Sequence, residues 1–151
     1  MTLVLVTGGS GFIGQHLVEA LRSRGQRVRI FDLRPPASAG SDVDYVRGSV
    51  LDAAAVESAL VGIDHVYHLA ALPGMWVPNK RDFHDVNCRG TEVVLAAAQR
   101  CGVARFLHCS TESILFPYSD LGGVRLWSAA PIGMVGVPIT SGKPLAAALA
   151  A

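Results

Sequence analysis

The sequence predicts a protein of the α/β class, built on a doubly wound parallel sheet of about five strands with helices on both faces. Short apolar runs of strand length alternate along the chain with segments whose apolar residues recur every three or four positions. Polar or glycine-containing turns separate these segments. Alternation of strands and helices is the pattern of parallel βαβ units.

The first two elements give the clearest signal. Residues 2–7 form a continuous apolar run that ends at a glycine cluster, as a strand buried on both faces does. Ile13, Leu17 and Leu21 then follow helical spacing, and Gly25 is placed to end that helix. The chain therefore opens with a strand, a glycine turn and a helix.

Four more strands and two more helices complete the pattern. The strands are expected at residues 27–32, 43–47, 65–70 and 105–110. One helix is expected at 52–60, where Asp52 can cap it, and a longer helix at 82–101.

Composition excludes several classes of function. The net charge is +1 and no cluster of basic residues is present, so a nucleic acid partner is not expected. The three cysteines lack the paired spacing of a metal or redox site, which predicts no metal and a reduced cytoplasmic protein. The apolar stretches are far shorter than the roughly 20 residues that cross a membrane, so none is expected to do so.

The residues at 7–14, Thr-Gly-Gly-Ser-Gly-Phe-Ile-Gly, stand between the first strand and the first helix. Gly8, Gly11 and Gly14 there permit a tight turn, close approach of the backbone to a pyrophosphate, and packing of the helix on the sheet. Free N–H groups at the helix start can then bind the anion. This context predicts a Rossmann-type dinucleotide-binding sheet, and ordinary turn glycines are the alternative.

Asp32 stands at the end of the second strand, 18 positions after Gly14. A carboxylate there accepts hydrogen bonds from the adenosine ribose hydroxyls. It would repel a 2′-phosphate at about 4 Å by about 4 kcal/mol per charge pair at an effective dielectric of about 20. NAD is therefore expected over NADP, although Arg34 could soften the preference, and Asp32 could instead be a solvated strand-end acid.

The ordered motifs resemble the extended short-chain dehydrogenase/reductase family, the NAD-dependent epimerase/dehydratase group, over about residues 2–116. The resemblance rests on the glycine motif, on Asp32, and on the segments at 48–52, 68–71, 87–91 and 110–111. It implies that Ala70, Ala71 and Leu72 line the nicotinamide-ribose side of the cofactor. The cofactor-binding residues expected are Gly8, Gly11, Phe12, Ile13, Gly14, Asp32, Arg34, Ser49, Val50, Ala70, Ala71 and Leu72.

One of these positions, and one residue next to them in the sequence, need a qualification. Ser49 stands where many relatives have an aspartate that contacts the adenine amino group, so cofactor affinity could be lower. For His68, at the start of the His-Leu-Ala-Ala segment, we expect a packed and hydrogen-bonded structural role rather than a catalytic one.

The resemblance also implies the residues of catalysis. Asn87 would be a structural and proton-relay group, or else a helix polar residue that faces a strand. Thr111, with Ser110, would hydrogen-bond the reacting oxygen of the substrate, although hydroxyl pairs also occur in ordinary turns. The family's tyrosine with a lysine four residues later is absent, because Tyr45, Tyr67 and Tyr118 are followed at that spacing by Ser49, Ala71 and Gly122.

The residues after Pro117 have a different character. All 12 acidic residues lie at or before Asp120, and residues 121–151 are rich in glycine, alanine and proline without a clear period. We therefore predict an incomplete NAD(P)-binding domain at 1–117 and a tail at 118–151 of no assigned structure. A truncation or frameshift would leave such a tail, and the strand near Phe106 would then be an exposed edge.

Three functions follow as hypotheses. The first is an NAD-dependent oxidoreductase, epimerase or dehydratase acting on a small carbinol or a nucleotide-sugar type of substrate. The second is a non-catalytic NAD-binding module, and the third is a gene remnant of marginal stability. If a homodimer forms, we expect it to use the long helix at 82–101.

Overall fold

A computed structural model describes residues 2–37, 43–73 and 77–109, and the backbone of 134–138. The sheet contains six strands, which are β1 Leu3–Thr7, β2 Arg27–Asp32, β3 Asp44–Arg47, β4 His65–His68, β5 Arg105–Cys109 and β6 Met134–Pro138. The α-helices are α1 Phe12–Ser23, α2 Ala53–Leu60, α3 Arg81–His84 and α4 Gly90–Arg100.

The strand order is β3-β2-β1-β4-β5-β6, and the first five strands are all parallel. The chain runs outward from β1 to β3 and then returns to the other side of β1 for β4. The order of strands therefore reverses beside β1, where open α/β sheets form a crevice at their carboxyl edge. The predicted doubly wound parallel sheet is confirmed.

Helices cover both faces of this sheet, as expected. On one face, Val18 and Leu21 of α1 pack against a cluster that includes Val6 of β1 and Ile30 of β2. On the other face, α2 and α4 pack against a larger cluster that includes the fully buried Leu5, Phe31, Val66 and Phe106. Apolar residues on both faces of β1 explain why its sequence is an unbroken apolar run.

The start of α2 follows the sequence prediction in atomic detail. The Asp52 carboxylate accepts hydrogen bonds from the N–H groups of Ala54 and Ala55, each at 3.1 Å. It therefore satisfies two of the donors that a helix N-terminus leaves unpaired.

The predicted helix at 82–101 is continuous, but it is not one α-helix. A π-helical segment at 85–89 separates α3 from α4. In such a segment each backbone hydrogen bond spans five residues instead of four, and such segments often occur at functional sites. A helical period taken over 82–101 does not reveal it, because the π-helical segment is only five residues long.

The prediction of an exposed edge at β5 is wrong. β6, from the tail, pairs with β5 in antiparallel register, with Phe106 opposite Val137 and His108 opposite Val135. The pairing gives hydrogen-bond partners to backbone groups of β5 that would otherwise face solvent. The tail therefore contributes one strand, whereas the division at residue 117 stays a prediction.

Candidate functional site

The glycine motif forms a close-packed turn between β1 and α1. Gly8 has a φ of 71°, and a Cβ atom there would lie 2.7 Å from the amide nitrogen of Ala70. A Cβ atom on Gly14 would lie 2.3 Å from the carbonyl oxygen of Gly8. Both positions thus require glycine, and the turn brings β1, the start of α1 and the end of β4 together.

The N-terminus of α1 opens onto this turn without a side-chain cap. Gly11 is the N-cap residue, and the first turn of the helix contains no acidic residue. The first N–H groups of a helix have no partner inside the helix, and the helix dipole makes this end positive. This arrangement fits the pyrophosphate of a dinucleotide.

The Asp32 carboxylate is held in place by two backbone groups. The N–H of Ser10 donates to Oδ2 and the N–H of Arg34 donates to Oδ1, both at 3.1 Å. The Ser10 hydroxyl also donates to the Arg34 carbonyl at 2.7 Å, which ties the glycine turn to the end of β2. Each carboxylate oxygen keeps a lone pair for a ribose hydroxyl.

Sequence reasoning missed the part that Ser10 has in this arrangement. A serine among glycines reads as a turn residue, and its contacts with Asp32 and Arg34 span 22 and 24 positions of the chain. The Arg34 side chain is exposed, and its guanidinium has no hydrogen-bond partner within the described segments.

Exposed apolar side chains surround the same edge of the sheet. Phe12 and Ile13 are 77% and 60% exposed, and Leu33 and Leu51, which follow β2 and the β3 turn, are 61% and 43% exposed. Exposed apolar side chains that converge at one edge are typical of a ligand-binding surface. Leu33 and Leu51 were not among the residues predicted from the sequence.

The segment after β3 contributes Ser49 and Val50. The Ser49 hydroxyl oxygen accepts a hydrogen bond from the N–H of Leu51 at 3.2 Å, so its proton remains available to a ligand. Val50 is only 7% exposed and lies in the core cluster beneath the α2 and α4 helices. Its side chain therefore acts mainly as support for the turn.

The segment after β4 is fixed by Asn87, which lies in the π-helical segment. The N–H of Leu72 donates to Oδ1 of Asn87 at 2.8 Å, and Nδ2 of Asn87 donates to the Leu72 carbonyl at 3.2 Å. Ala70 is half-buried and Ala71 is exposed, next to the Gly8 turn. Small side chains here leave room beside the turn.

His68 is fully buried beneath this segment, as its expected structural role requires. Its Nδ1 lies 2.7 Å from the Thr7 hydroxyl and its Nε2 lies 3.0 Å from the Thr91 hydroxyl. Burial, and then the neighbouring His108, lower the pKa of His68 to about 3. The imidazole is therefore neutral at physiological pH.

Not every predicted residue falls within the described structure. Ser110 and Thr111, the predicted substrate-contacting hydroxyls, lie outside the described residues. The described ranges hold no cluster of three or more metal-ligating side chains. None of their helices has the length and apolar content needed to span a bilayer.

A pocket of about 300 Å³ lies beside α1 rather than at the carboxyl edge between β1 and β4. It is lined by residues of α1, such as His16 and Glu19, and by Pro36 and Val43 from the β2–β3 connection. Only Gly9 and Ser10 of the glycine turn reach it. The pocket therefore adjoins the glycine turn through these two residues, while most of its lining lies along α1 and the β2–β3 connection.

Comparisons with known proteins agree with this geometry. Residues 4–120 match the model of the NAD dependent epimerase/dehydratase family. A 3β-hydroxysteroid dehydrogenase/Δ5→4-isomerase of Mycobacterium tuberculosis is 39% identical over 128 residues, which cover 80% of this chain and 34% of that protein. The chain thus spans about a third of the length of this curated relative.

Two solved structures share the fold. A short-chain dehydrogenase/reductase superfamily protein from Agrobacterium tumefaciens, solved with bound NAD, is 36% identical with a TM-score of 0.70, over 88% of this chain and 39% of that one. MoeE5, solved with UDP-glucuronic acid and NAD, is 36% identical with a TM-score of 0.68, over 74% of this chain and 37% of that one. With the family match over most of its length, this chain belongs to the NAD-dependent epimerase/dehydratase family.

Proposed function

We propose that this chain binds NAD, in preference to NADP, in the crevice at the carboxyl edge of its sheet. One observation carries the proposal: the Asp32 carboxylate is held by the N–H groups of Ser10 and Arg34 beside the uncapped start of α1. In an adenosine diphosphate group, such a carboxylate binds the ribose hydroxyls. The helix N-terminus binds the diphosphate.

The start of α1 binds the pyrophosphate in this proposal. Its free N–H groups donate to the phosphate oxygens, and the helix dipole favours their negative charge. Gly8 and Gly14 let the backbone approach closely, since side chains at these positions would fill the turn. Phe12 and Ile13 shield the anion from water on the open side.

Asp32 selects between the two cofactors. Its oxygens accept from the 2′- and 3′-hydroxyls of the adenosine ribose while they keep their contacts with Ser10 and Arg34. A 2′-phosphate would meet the fixed carboxylate, and repulsion of about 4 kcal/mol is expected at about 4 Å. The two structures solved with NAD support a nicotinamide dinucleotide as the cofactor.

The reaction class that we propose is oxidation or reduction at a carbinol carbon of a small or nucleotide-sugar type of substrate. NAD, when bound, supplies the hydride acceptor. The relative is named a hydroxysteroid dehydrogenase and MoeE5 was solved with a UDP-sugar acid, so a secondary alcohol is their shared chemistry. Asn87 holds the Leu72 segment, which would line the nicotinamide side of a bound cofactor.

A non-catalytic NAD-binding module is the second candidate. It is favoured by one observation, that no tyrosine in these 151 residues is followed by a lysine four positions later. Turnover of a secondary alcohol by the chain alone would exclude this candidate. We also propose a cytoplasmic location, supported by the free thiols of Cys88 and Cys101, and a homodimer contact through the helical segment at 82–101.

The test compares Asp32→Asn with Glu57→Gln in titrations with NAD and NADP. Both variants remove one negative charge, but Glu57 lies on α2 and pairs with Arg100 at the surface. We expect Asp32→Asn to raise the NADP-to-NAD affinity ratio at least about tenfold, and Glu57→Gln to leave it unchanged. The new amide nitrogen of Asp32→Asn cannot accept the backbone N–H bond that the carboxylate oxygen accepts, so the variant could be less stable. Thermal unfolding is therefore recorded for each variant.

An unchanged NADP-to-NAD affinity ratio in a folded Asp32→Asn variant would contradict the proposal that Asp32 selects the cofactor. Equal affinity of the unmodified chain for NAD and NADP would contradict the cofactor preference. Failure of the unmodified chain to bind either nucleotide would contradict the proposal as a whole.

A further inference from the structure

A line of hydrogen bonds crosses the sheet behind the crevice and passes through the His68 ring. The N–H of Ala70 donates to the Thr7 hydroxyl oxygen at 3.3 Å, and that oxygen lies 2.7 Å from Nδ1 of His68. On the other side, Nε2 lies 3.0 Å from the Thr91 hydroxyl, which donates to the Asn87 carbonyl at 2.8 Å. The line therefore joins β1, β4 and the helix that follows.

One arrangement of protons satisfies every member of this line. A carbonyl oxygen can only accept, so the Thr91 proton points to Asn87 and the Thr91 oxygen accepts from Nε2–H of His68. In a neutral ring Nδ1 then has no proton and accepts from the Thr7 hydroxyl. The Thr7 oxygen in turn accepts from Ala70, so all bonds point consistently.

The other protonation states leave a buried group unsatisfied. With Nδ1–H, or with a charged ring, the Thr7 oxygen would accept from both His68 and Ala70, and its own proton would have no acceptor among the described residues. Thr7 and His68 are both 0% exposed, so bulk solvent does not reach these groups. A buried unpaired donor is costly, which favours the neutral Nε2–H form.

The line ends in the π-helical segment at 85–89. The His68–Thr91 contact and the Leu72–Asn87 pair connect the same two segments of chain, at positions four residues apart on each. Two anchors fix both the position and the rotation of one segment against the other. The crevice wall at Ala70 to Leu72 is therefore held from both ends.

We propose that His68, as the neutral Nε2–H tautomer, is a positioning residue that fixes the Asn87 turn and with it the Ala70–Leu72 wall of the crevice. The effect on a bound dinucleotide rests on the proposed function. The tautomer and the position of the wall are properties of the chain without ligand.

The surroundings of the ring support a neutral state. His108 of β5 stacks on His68 with 5.4 Å between ring centres, and Phe106 of the same strand lies at 5.9 Å. The hydroxyls of Thr7 from β1 and Thr91 from α4 complete the polar contacts. No hydrogen bond or ion pair within the described segments joins the ring to a charged side chain. Burial also lowers the pKa of His108, so a second cation is not favoured beside His68.

The first test is two-bond ¹H–¹⁵N correlation spectroscopy of the full 151-residue chain, which reports which ring nitrogen carries the proton. We expect the Nε2–H pattern for His68 from about pH 8 to about pH 5, a range in which a free histidine becomes charged. An Nδ1–H pattern, an average of the two tautomers or a charged ring in this range would overturn the proposal.

The second test compares Thr91→Val with Thr91→Ser, because valine keeps the shape of threonine and serine keeps the hydroxyl. We expect Thr91→Val to speed amide exchange at Leu72 by about tenfold or more and to shift the side-chain amide signal of Asn87. In Thr91→Ser we expect the Leu72 exchange rate and the Asn87 signal to match those of the unmodified chain. Amide exchange at Leu5, in the core strand β1, is expected to stay unchanged in both variants. Unchanged Leu72 exchange in a folded Thr91→Val variant would overturn the proposal. If Thr91→Val does not fold, the tautomer in the unmodified chain decides.

Affinity for NAD separates this proposal from the proposed function. We expect Thr91→Val to weaken NAD binding by about threefold to tenfold, with recovery in Thr91→Ser. If the unmodified chain binds no NAD, the dinucleotide proposal fails while the tautomer and exchange results stand on their own. If NAD binds equally to all three chains, the positioning role is wrong.

Discussion

Asn87 and Leu72 hold each other through two hydrogen bonds, one from the Leu72 N–H at 2.8 Å and one to the Leu72 carbonyl at 3.2 Å. The oxygen and the nitrogen of the Asn87 carboxamide therefore both bond the backbone of Leu72. Asn87 does so although it is exposed and lies in a π-helical segment. The contact fixes the path of the chain as it leaves β4. A side chain on a helix thus shapes one wall of the candidate dinucleotide crevice.

Asn87→Ala is expected to weaken NAD binding by about threefold to tenfold while it lowers the free energy of unfolding by only about 1 kcal/mol, because the lost bonds are solvent-exposed. Isothermal titration and urea unfolding measure the two effects. Asn79→Ala is the matched control, since Asn79 also bonds a backbone N–H and a side chain, of Arg81 and Asp82, at the start of α3. Equal losses of NAD affinity in both variants would show that Asn87 has no special position.

Gly14→Ala is expected to abolish NAD binding and to destabilise the chain by about 1–3 kcal/mol, the usual range for overpacking. The reason is the 2.3 Å approach of the new Cβ to the Gly8 carbonyl oxygen, which backbone movement alone can relieve. Gly25→Asn is the control, because nothing lies within 4 Å of a Cβ atom there and asparagine tolerates the φ of 73°. Normal NAD affinity in Gly14→Ala would contradict the close-packed turn.

Arg29→Met is expected to lower the free energy of unfolding by about 1–3 kcal/mol without changing NAD affinity. The Arg29 guanidinium donates to the carbonyls of Ala59 and Val61 at the end of α2, at 2.9 Å and 3.0 Å, and pairs with Asp44. Methionine keeps the apolar stem and removes these bonds. A change in NAD affinity as large as the change in stability would mean that stability and binding are not separable in this chain.

Stability is expected to fall as pH falls from about 6.5 towards about 3. The pKa of His68 is lowered from 6.5 to about 3 in the folded chain. Below 6.5 the unfolded chain therefore takes up a proton that the folded chain does not, which favours unfolding; above 6.5 neither state is protonated and the penalty vanishes. The lowered pKa of His108 acts in the same direction.

Urea unfolding at about pH 7.5 and about pH 5 measures this slope, and the His68 contribution is expected to be about 2 kcal/mol. His68→Gln removes that contribution, whereas His16→Gln, at an exposed position on α1, leaves it unchanged. A slope equal in the unmodified chain and in His68→Gln would show that His68 does not remain neutral in the folded protein.

The parts of the fold that the sequence predicts are those set by local patterns. The apolar run of β1, the Asp52 cap and the glycine turn depend on neighbours in the chain, and the structure places all three as expected. The parallel arrangement of β1 to β5 could also be predicted, because each helical crossover joins two strands that are neighbours in the sequence. The fold was therefore predictable from patterns between residues that are close in the chain.

The features that sequence reasoning missed depend on contacts between distant positions. The Thr7–His68 bond spans 61 positions, and Thr7 looks like one more β-branched residue of an apolar strand. β6 pairs through backbone groups, so a stretch of glycine, proline and apolar residues gives no period to detect. Leu33 and Leu51 are exposed apolar residues at the edge of the crevice. Their exposure could not be predicted, because an apolar residue in a periodic pattern is expected to be buried.

Titration of the unmodified 151-residue chain with NAD and, separately, with NADP tests the central claim most directly. We predict saturable binding of NAD and an affinity for NADP at least about tenfold weaker, because in the proposed site the Asp32 carboxylate would repel a 2′-phosphate. Absence of NAD binding by a chain that unfolds cooperatively would contradict the claim that this carboxyl edge forms a dinucleotide site.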